Sequence, residues 1–170
     1  AALYASSHNL MLGTSPTEFS PNITMTRGML VTVLYRMNGS PSVSGKTPFT
    51  DVRTDEWYSA AVLWAYQNGI VPGMSDTTFG PINNVTREQM ATILFRYTKT
   101  AAPDKAKASA DLSGFADAGS VNDWAVDAMR WAVGQKLIAG ITLEQSVYLQ
   151  PRGNATRAQA ATVLTRYYAQ

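Results

Sequence analysis

The feature that most constrains this chain is a Thr-Arg pair that recurs three times with the same residues after it. The pairs are Thr26-Arg27, Thr86-Arg87 and Thr156-Arg157. Each is followed by Leu seven residues after the arginine and by a second arginine nine residues after it. Recurrence at a long period indicates similar structural units that share a core, because one short unit cannot bury its apolar face alone. The sequence therefore predicts three repeats.

Segments rich in Gly, Ser, Pro and small or charged residues separate these repeats and read as linkers. We place the repeats at residues 1–38, 48–98 and 114–170, with linkers at 39–47 and 99–113, in one module that spans 1–170. A Phe-x-Asp block with a following Trp occurs in the second and third repeats. Its counterpart in the first repeat would lie before residue 1. We therefore expect the first repeat to be truncated, and any groove that needs this block to be open, distorted or completed by a neighbouring chain.

Each repeat is predicted to contain two helices joined by a structured loop. In the second repeat, apolar residues at helical spacing start at Trp57, and Gly69 stands where a C-terminal cap is expected. After the loop, Thr86 and Gln89 have the spacing of a capping box at the start of the second helix. Met29 replaces this glutamine in the first repeat, which predicts a weaker cap there.

Three helical hairpins of this kind bury their apolar stripes most simply when the second helices pack together around a pseudo-threefold axis. The predicted fold class is therefore all-α, with three helical-hairpin repeats around one core. The leucines at the same place in each second helix should all be buried in that core. They are Leu34, Leu94 and Leu164.

The composition excludes several functional classes. A net charge of +2 is too small for a nucleic-acid binder that works by bulk charge. The chain has no Cys and a single His, His8, so we expect no disulfide, no cofactor or metal site and no Ser-His-Asp catalysis. No carboxylate pair stands out for glycoside hydrolysis, and no run of about 18 apolar residues predicts membrane insertion. The first residues lack a signal-peptide pattern, which predicts a start inside a larger protein.

The order of the motifs resembles the surface-layer homology family. The second repeat carries Gly69-Ile70-Val71-Pro72-Gly73, then Phe79-Gly80-Pro81, then Thr86-Arg87-Glu88-Gln89. In the third repeat either Tyr148 or Leu149 takes the place of the Phe. The Thr-Arg motif departs from the family pattern because its fourth residue is not acidic in any of the three copies.

The resemblance implies a spindle with a central three-helix bundle, whose grooves hold a secondary cell-wall polysaccharide. The ligand feature that it implies is a pyruvyl ketal on N-acetylmannosamine, which is an anionic sugar. The chain would then be a non-catalytic anchoring module of an exported protein at the bacterial cell surface, with its oligomeric state left open. The alternative is a protein–protein or lattice-forming module that binds no glycan.

The Thr-Arg pairs also predict an anion site on physical grounds. A threonine N-cap places free backbone N–H groups and the positive end of the helix at one point, and arginine adds a planar donor pair that matches a carboxylate. Arg27, Arg87 and Arg157 are therefore predicted to bind the ligand. Replacement of Arg87 or Arg157 by lysine is predicted to weaken binding without disturbing the fold. The alternative role for them is an ion pair with Asp51 or Asp117. These two aspartates are themselves expected to act in turns or caps.

The rest of the predicted ligand-binding set lies on the loops and the first helices. It consists of Gly13, Gly73, Gly140, Ser15, Ser75, Trp57, Trp64, Trp124 and Trp131. The glycines suit a tight turn or the close approach of a sugar, and the tryptophans suit either core packing or sugar stacking. The second arginine of each repeat is assigned to the C-terminal part of its helix, where cations are favourable. These are Arg36, Arg96 and Arg166.

Overall fold

The computed structural model describes residues 10–15, 17–107 and 109–169. The helices are α1 (Arg27–Met37), α2 (Ser59–Gln67), α3 (Arg87–Ala101), α4 (Val126–Gly134) and α5 (Arg157–Tyr168). Short 3₁₀ turns lie at Pro103–Lys105, Ala118–Ser120 and Asp123–Ala125. The second helices of the three repeats are α1, α3 and α5, and the first helices of repeats two and three are α2 and α4. The predicted first helix of repeat one lies outside the described residues, as does His8.

The described part is mostly helical, but the all-α prediction missed a small antiparallel sheet in the third repeat. Strand β1 (Ile141–Leu143) pairs with β2 (Ser146–Tyr148). The register is Ile141 with Tyr148, Thr142 with Val147, and Leu143 with Ser146. This loop is longer than its counterpart, with 12 residues from Gly140 to Pro151 against 9 from Gly73 to Pro81. The extra residues allow a two-stranded hairpin to form there.

Three backbone hydrogen bonds join the segments that precede α1, α3 and α5 into a closed ring. Met25 N–H donates to the Ala155 carbonyl (2.8 Å), Ala155 N–H to the Val85 carbonyl (2.8 Å), and Val85 N–H to the Met25 carbonyl (2.9 Å). All three residues are fully buried. Equivalent residues of the three repeats therefore contact one another in cyclic order.

The N-termini of α1, α3 and α5 follow the same cyclic order. The first N–H of each helix donates to a loop carbonyl of another repeat at a distance of 2.9 Å. The pairs are Arg27 with Asn83, Arg87 with Gly153, and Arg157 with Ile23. The second N–H donates to a proline carbonyl, in the pairs Gly28 with Pro81, Glu88 with Pro151, and Ala158 with Pro21. Because these N–H groups already have partners, the prediction that they are free for an anionic ligand is wrong.

The predicted burial of the three equivalent leucines is confirmed. Leu34, Leu94 and Leu164 are 0%, 1% and 1% exposed and belong to one hydrophobic cluster. Helices α3 and α5 also contact each other through the rings of Tyr97 and Tyr167, whose centroids lie 6.2 Å apart. The second helices therefore bury their apolar stripes in a common core.

The first helices pack on the second helix of the preceding repeat. Trp64 of α2 lies against Tyr35 of α1, with ring centroids 5.7 Å apart. Trp131 of α4 lies against Phe95 of α3 at 5.3 Å. Consecutive repeats are thus joined by aromatic contacts as well as by the hydrogen bonds at the helix starts.

The predicted helix caps are present. In α3, Thr86 Oγ1 accepts from Gln89 N–H (3.3 Å) and Gln89 Oε1 accepts from Thr86 N–H (3.0 Å), which completes a capping box. Helix α5 repeats this arrangement with Thr156 and Gln159. In α1, Thr26 Oγ1 accepts from Met29 N–H, but the Met29 side chain returns no hydrogen bond. The prediction of a weaker cap in the first repeat is confirmed.

Candidate functional site

Three surface grooves are built from equivalent parts of the repeats. Each lies against the second helix and the loop of one repeat and also includes the first arginine of another repeat. Groove 1, of about 450 Å³, includes Arg36, Trp57 and Arg157. Groove 2, of about 130 Å³, includes Arg27, Arg96 and Trp124. Groove 3, of about 280 Å³, includes Arg87 and Arg166.

The first arginine of each repeat holds a loop of another repeat. Arg27 Nε donates to the Phe79 carbonyl (2.9 Å), and its Nη2 donates to the Pro72 carbonyl (3.1 Å). The guanidinium carbon also lies 4.8 Å from the centre of the Phe79 ring. Arg27 therefore fastens both ends of the second-repeat loop while it lines groove 2.

Arg87 and Arg157 make the equivalent contacts. Arg87 donates to the carbonyls of Leu149 (2.7 Å) and Ala139 (3.3 Å). Arg157 donates to those of Phe19 (3.0 Å) and Leu12 (2.6 Å). Leu149 therefore occupies the position that Phe19 and Phe79 have in the other repeats, and Tyr148 does not.

The acceptors of these arginines are carbonyl groups and not carboxylates. Arg27, Arg87 and Arg157 are 5–6% exposed. Burial lowers the pKa of Arg27, the positive charge of Arg96 lowers it further, and Asp51 acts in the opposite direction. Over the described ranges the single ion pair joins Arg53 and Asp55. The predicted alternative of an ion pair with Asp51 or Asp117 is therefore wrong.

The two aspartates support the same loops from the other side, as their predicted turn role required. The Asp51 carboxylate accepts from the N–H groups of Phe79 (2.8 Å) and Gly80 (2.7 Å). Asp117 accepts from those of Leu149 and Gln150, both at 2.7 Å. The loops of the second and third repeats are therefore each held by an arginine at a carbonyl group and by an aspartate at N–H groups.

The second arginines, assigned to a structural role from the sequence, also line the grooves. Arg36, Arg96 and Arg166 lie in grooves 1, 2 and 3. Arg166 Nη1 donates to the Leu137 carbonyl (3.1 Å), and burial lowers the pKa of Arg36. The described lining of each groove holds two arginines and neither Asp nor Glu. The signal that could have identified the second arginines is their recurrence nine residues after the first ones.

The four tryptophans divide into two kinds. Trp57 and Trp124 are 59% and 53% exposed and line grooves 1 and 2, whereas Trp64 and Trp131 are 4% and 1% exposed. A buried indole offers no free face to a sugar, so we remove Trp64 and Trp131 from the candidate site. The prediction that all four lie on first helices is wrong, because α2 and α4 begin after Trp57 and Trp124. This position before the helix lets the two rings point outward.

The three predicted glycines are required by the packing of their own loops. A Cβ at Gly13 would lie 2.6 Å from the Glu18 carbonyl oxygen, and one at Gly140 would lie 2.8 Å from the Phe115 ring. At Gly73 the Thr78 carbonyl oxygen would be 2.7 Å away. Gly13 and Gly73 also lie along grooves 1 and 2.

The predicted serines lie at the exposed tips of these loops. Ser15 Oγ accepts from the N–H of Thr17 and Ser75 Oγ from that of Thr77, both at 3.4 Å. These local hydrogen bonds close the turns, so a turn role accounts for both residues. Ligand contact by Ser15 and Ser75 stays a prediction.

The described parts of the chain hold no cluster of three His, Asp or Glu side chains suited to a metal ion. Among the described helices, none combines the length and the apolar character that spanning a membrane requires.

The repeated helices and the arginine-lined grooves beside them define a modular protein built from equivalent units. The family profile of the S-layer homology domain matches residues 48–91 and 114–161, which is more than half of the chain. The chain belongs to the S-layer homology domain family.

The relatives place this module within much larger proteins. An endoglucanase of Bacillus sp. (strain KSM-635) is 33% identical over 156 residues, covering 92% of this chain and 16% of the relative. The Surface-layer 125 kDa protein of Lysinibacillus sphaericus is 31% identical over 154 residues, covering 91% of this chain and 12% of the relative. An amylopullulanase of Thermoanaerobacterium thermosulfurigenes is 29% identical over 158 residues, covering 93% of this chain and 8% of the relative.

The chain therefore spans less than a fifth of each of these relatives. The enzymes carry the shared region separately from the rest of their length, and a surface-layer protein carries it as well. S-layer homology domains are non-catalytic modules that anchor proteins at the bacterial cell surface and bind cell-wall polymers.

Proposed function

We propose that this chain anchors an exported bacterial protein to the cell wall by binding an anionic secondary cell-wall polysaccharide in grooves 1 and 2. The observation that carries this proposal is the pair of arginines in each groove, without an acidic residue among the described lining residues. Such a pair is an unfavourable arrangement unless an anion or solvent lies between the charges.

Groove 2 illustrates how an anion would be held. The positive charge of Arg96 is close enough to lower the pKa of Arg27, so the two guanidinium groups repel each other. Arg27 uses Nε and Nη2 for the loop, which leaves Nη1 for a ligand, while Arg96 can offer its planar donor pair. A hydrogen bond to a charged group contributes about 1.5–3 kcal/mol, so a carboxylate at this point would account for much of the affinity.

The carboxylate that we propose belongs to a pyruvyl ketal on N-acetylmannosamine. The same sugar would place one ring face on Trp57 in groove 1 or on Trp124 in groove 2, because the apolar face of a sugar packs well on an indole. Among the described residues that line groove 3 there is no tryptophan. We therefore expect two strong sites and one weak site.

The arrangement that we propose for the whole module is a spindle of three repeats around a central bundle of α1, α3 and α5. The repeats keep the limits 1–38, 48–98 and 114–170, with linkers at 39–47 and 99–113. The closed ring of backbone hydrogen bonds and the shared burial of the three leucines support this arrangement.

Loss of either exposed indole should weaken polysaccharide binding. Trp57→Ala and Trp124→Ala are each expected to raise the Kd of their own groove about 3- to 10-fold, since an aromatic contact contributes about 0.5–1.5 kcal/mol. The unfolding midpoint should stay nearly constant because both rings are more than half exposed. Ile82→Ala, which truncates a 79% exposed side chain outside the grooves, is the matched control.

The direct test is calorimetric titration of purified cell-wall polymer before and after removal of its pyruvyl groups. The proposal predicts strong binding to the native polymer and weak binding to the depyruvylated one. Equal affinity for both would exclude the anionic recognition. Binding to neither polymer, together with self-association of the chain, would favour the protein–protein or lattice-forming alternative.

A further inference from the structure

Grooves 1 and 2 each contain two arginines and one exposed tryptophan at equivalent positions. They differ at the third residue of the helix that forms one wall. This residue is Met29 in α1 and Gln89 in α3. Both side chains are half-buried and both line their groove. The two grooves are therefore matched in the groups that would hold an anion and a sugar face, and they differ beside those groups.

The capping box fixes what Gln89 can offer to a ligand. Its Oε1 accepts from the Thr86 N–H (3.0 Å), so the oxygen is occupied and the amide NH₂ group is left to donate into groove 2. Met29 has no donor and makes no such return bond to Thr26. A ligand oxygen that receives a hydrogen bond in groove 2 therefore meets a thioether at the same point of groove 1.

Groove 1 is also wider and more apolar around this point. Its volume is about 450 Å³ against about 130 Å³ for groove 2. Its apolar lining residues are Met11, Leu12, Met25, Met29 and Val33, in addition to Trp57. The corresponding residues that line groove 2 are Val71, Pro72, Gln89 and Ile93, in addition to Trp124. Unbranched methionine side chains fit apolar groups of varied shape.

We propose that groove 1 selects an anionic sugar that carries an additional acyl group, and that Met29 is the residue that sets this preference. Groove 2 then selects the same sugar with a free hydroxyl, whose oxygen accepts from Gln89. This inference rests on the proposed glycan function of the grooves. One chain would thereby bind two differently substituted residues of the same polymer.

The expected size of the effect follows from the groups exchanged. Burial of one extra methyl group against the methionines favours the acylated sugar about 4-fold in groove 1. In groove 2, acylation turns the hydroxyl oxygen into an ester oxygen, which is a much weaker acceptor for the Gln89 amide, and this disfavours that sugar about 5- to 10-fold.

The experiment follows the indole N–H signals of Trp57 and Trp124 by ¹⁵N NMR, since each signal reports its own groove in the intact chain. The signals of the buried Trp64 and Trp131 serve as internal references. The probes are the methyl glycoside of pyruvylated N-acetylmannosamine and the same glycoside acetylated on a free ring hydroxyl. We expect the Trp57 signal to titrate first with the acetylated probe and the Trp124 signal first with the unacetylated one.

Exchanging the two residues should exchange the preferences. In Met29→Gln the Trp57 signal should come to favour the unacetylated probe, and in Gln89→Met the Trp124 signal should come to favour the acetylated one. Met29→Gln supplies the missing half of a capping box, and Gln89→Met reproduces the cap of α1, so both variants keep a cap that this chain already uses. Met74→Gln, at a 54% exposed methionine outside the grooves, is the matched control.

The outcomes separate the two levels of the proposal. If both probes bind but both signals show the same preference, or if the exchanges leave the preferences unchanged, the assignment of Met29 is overturned and the glycan function stands. If neither probe shifts either signal, the glycan function is overturned and this inference with it.

Discussion

Arg27→Ala should lower the free energy of unfolding by about 3–5 kcal/mol, because it removes two hydrogen bonds from a charged group, each contributing about 1.5–3 kcal/mol. The side chain is 6% exposed and holds the carbonyls of Pro72 and Phe79. Its loss leaves these carbonyls without their donor, and it also removes the cation from the Phe79 ring. The first and second repeats would then be less firmly connected at this loop.

Arg27→Lys should recover only part of this stability. A lysine donates from a single point, whereas the guanidinium reaches two carbonyls at once through Nε and Nη2. For the equivalent Arg87 and Arg157 the sequence alone predicts that lysine weakens binding and spares the fold, whereas the observed contacts of Arg27 predict a loss of stability as well. Urea denaturation followed by circular dichroism measures the change.

Arg53→Ala is the control for the loss of one arginine. Arg53 is exposed and pairs with Asp55 at the surface, where solvent screens the attraction, so its loss should leave stability nearly unchanged. A loss for Arg27→Ala as small as that of this control would show that the loop does not depend on the guanidinium.

Leu94→Ala should be the second large effect, with a loss of about 2–5 kcal/mol in the free energy of unfolding. Leu94 is 1% exposed on α3 and lies in the same hydrophobic cluster as Leu34 and Leu164. The truncation removes buried apolar surface and leaves a cavity that well-packed helices fill only in part.

The matched control for this truncation is Leu143→Ala in the β-hairpin. Leu143 is 48% exposed, so its loss should change stability by less than about 1 kcal/mol. Thermal and urea unfolding of the two variants should differ clearly. Similar small losses would show that the second helices do not depend on a tightly packed common core.

The sequence predicted the local features of the fold well. A capping box needs only Thr86 and Gln89 at the right spacing, and both hydrogen bonds are formed. The position of Asp51 shortly before the first helix similarly indicates that its carboxylate stabilises a turn, and it accepts two backbone N–H groups of the loop. Such features depend on residues close together in the chain, so a single sequence contains the information that sets them.

The partners of the first arginines could not be predicted in the same way. Arg157 donates to the carbonyl of Leu12, which is 145 residues away, and every residue in the chain carries a carbonyl. No pattern of side chains marks which one is used. The choice depends on how the repeats are placed around the closed ring of hydrogen bonds, which is a property of the whole fold.

The division of the tryptophans also depended on structure. Trp57 and Trp64 are seven residues apart and have the spacing of one helical face, but α2 begins only at Ser59. One ring therefore lines groove 1 and the other is buried against Tyr35. A shift of the helix start by a few residues decides which indole is available to a ligand.

The central claim is that the grooves bind the anionic group of a cell-wall glycan. Arg36 and Arg96 are the arginines best suited to a test, because they line grooves 1 and 2, whereas Arg27 and Arg157 also hold loops. The most direct measurement combines the double change Arg36→Gln/Arg96→Gln with removal of the pyruvyl groups from the polymer. The double change Arg53→Gln/Arg152→Gln, at two exposed arginines outside the grooves, removes the same net charge and is the control.

Calorimetry then gives four dissociation constants, for native and double-variant protein with pyruvylated and depyruvylated polymer. We expect the double variant to bind the pyruvylated polymer at least about 10-fold more weakly than the native protein, with less than about a 3-fold difference on the depyruvylated polymer. The loss should be confined to the pyruvylated polymer, because the depyruvylated polymer offers the arginines no carboxylate to bind. Equal losses on the two polymers would contradict the account, since the arginines would then shape the grooves without recognising the anion.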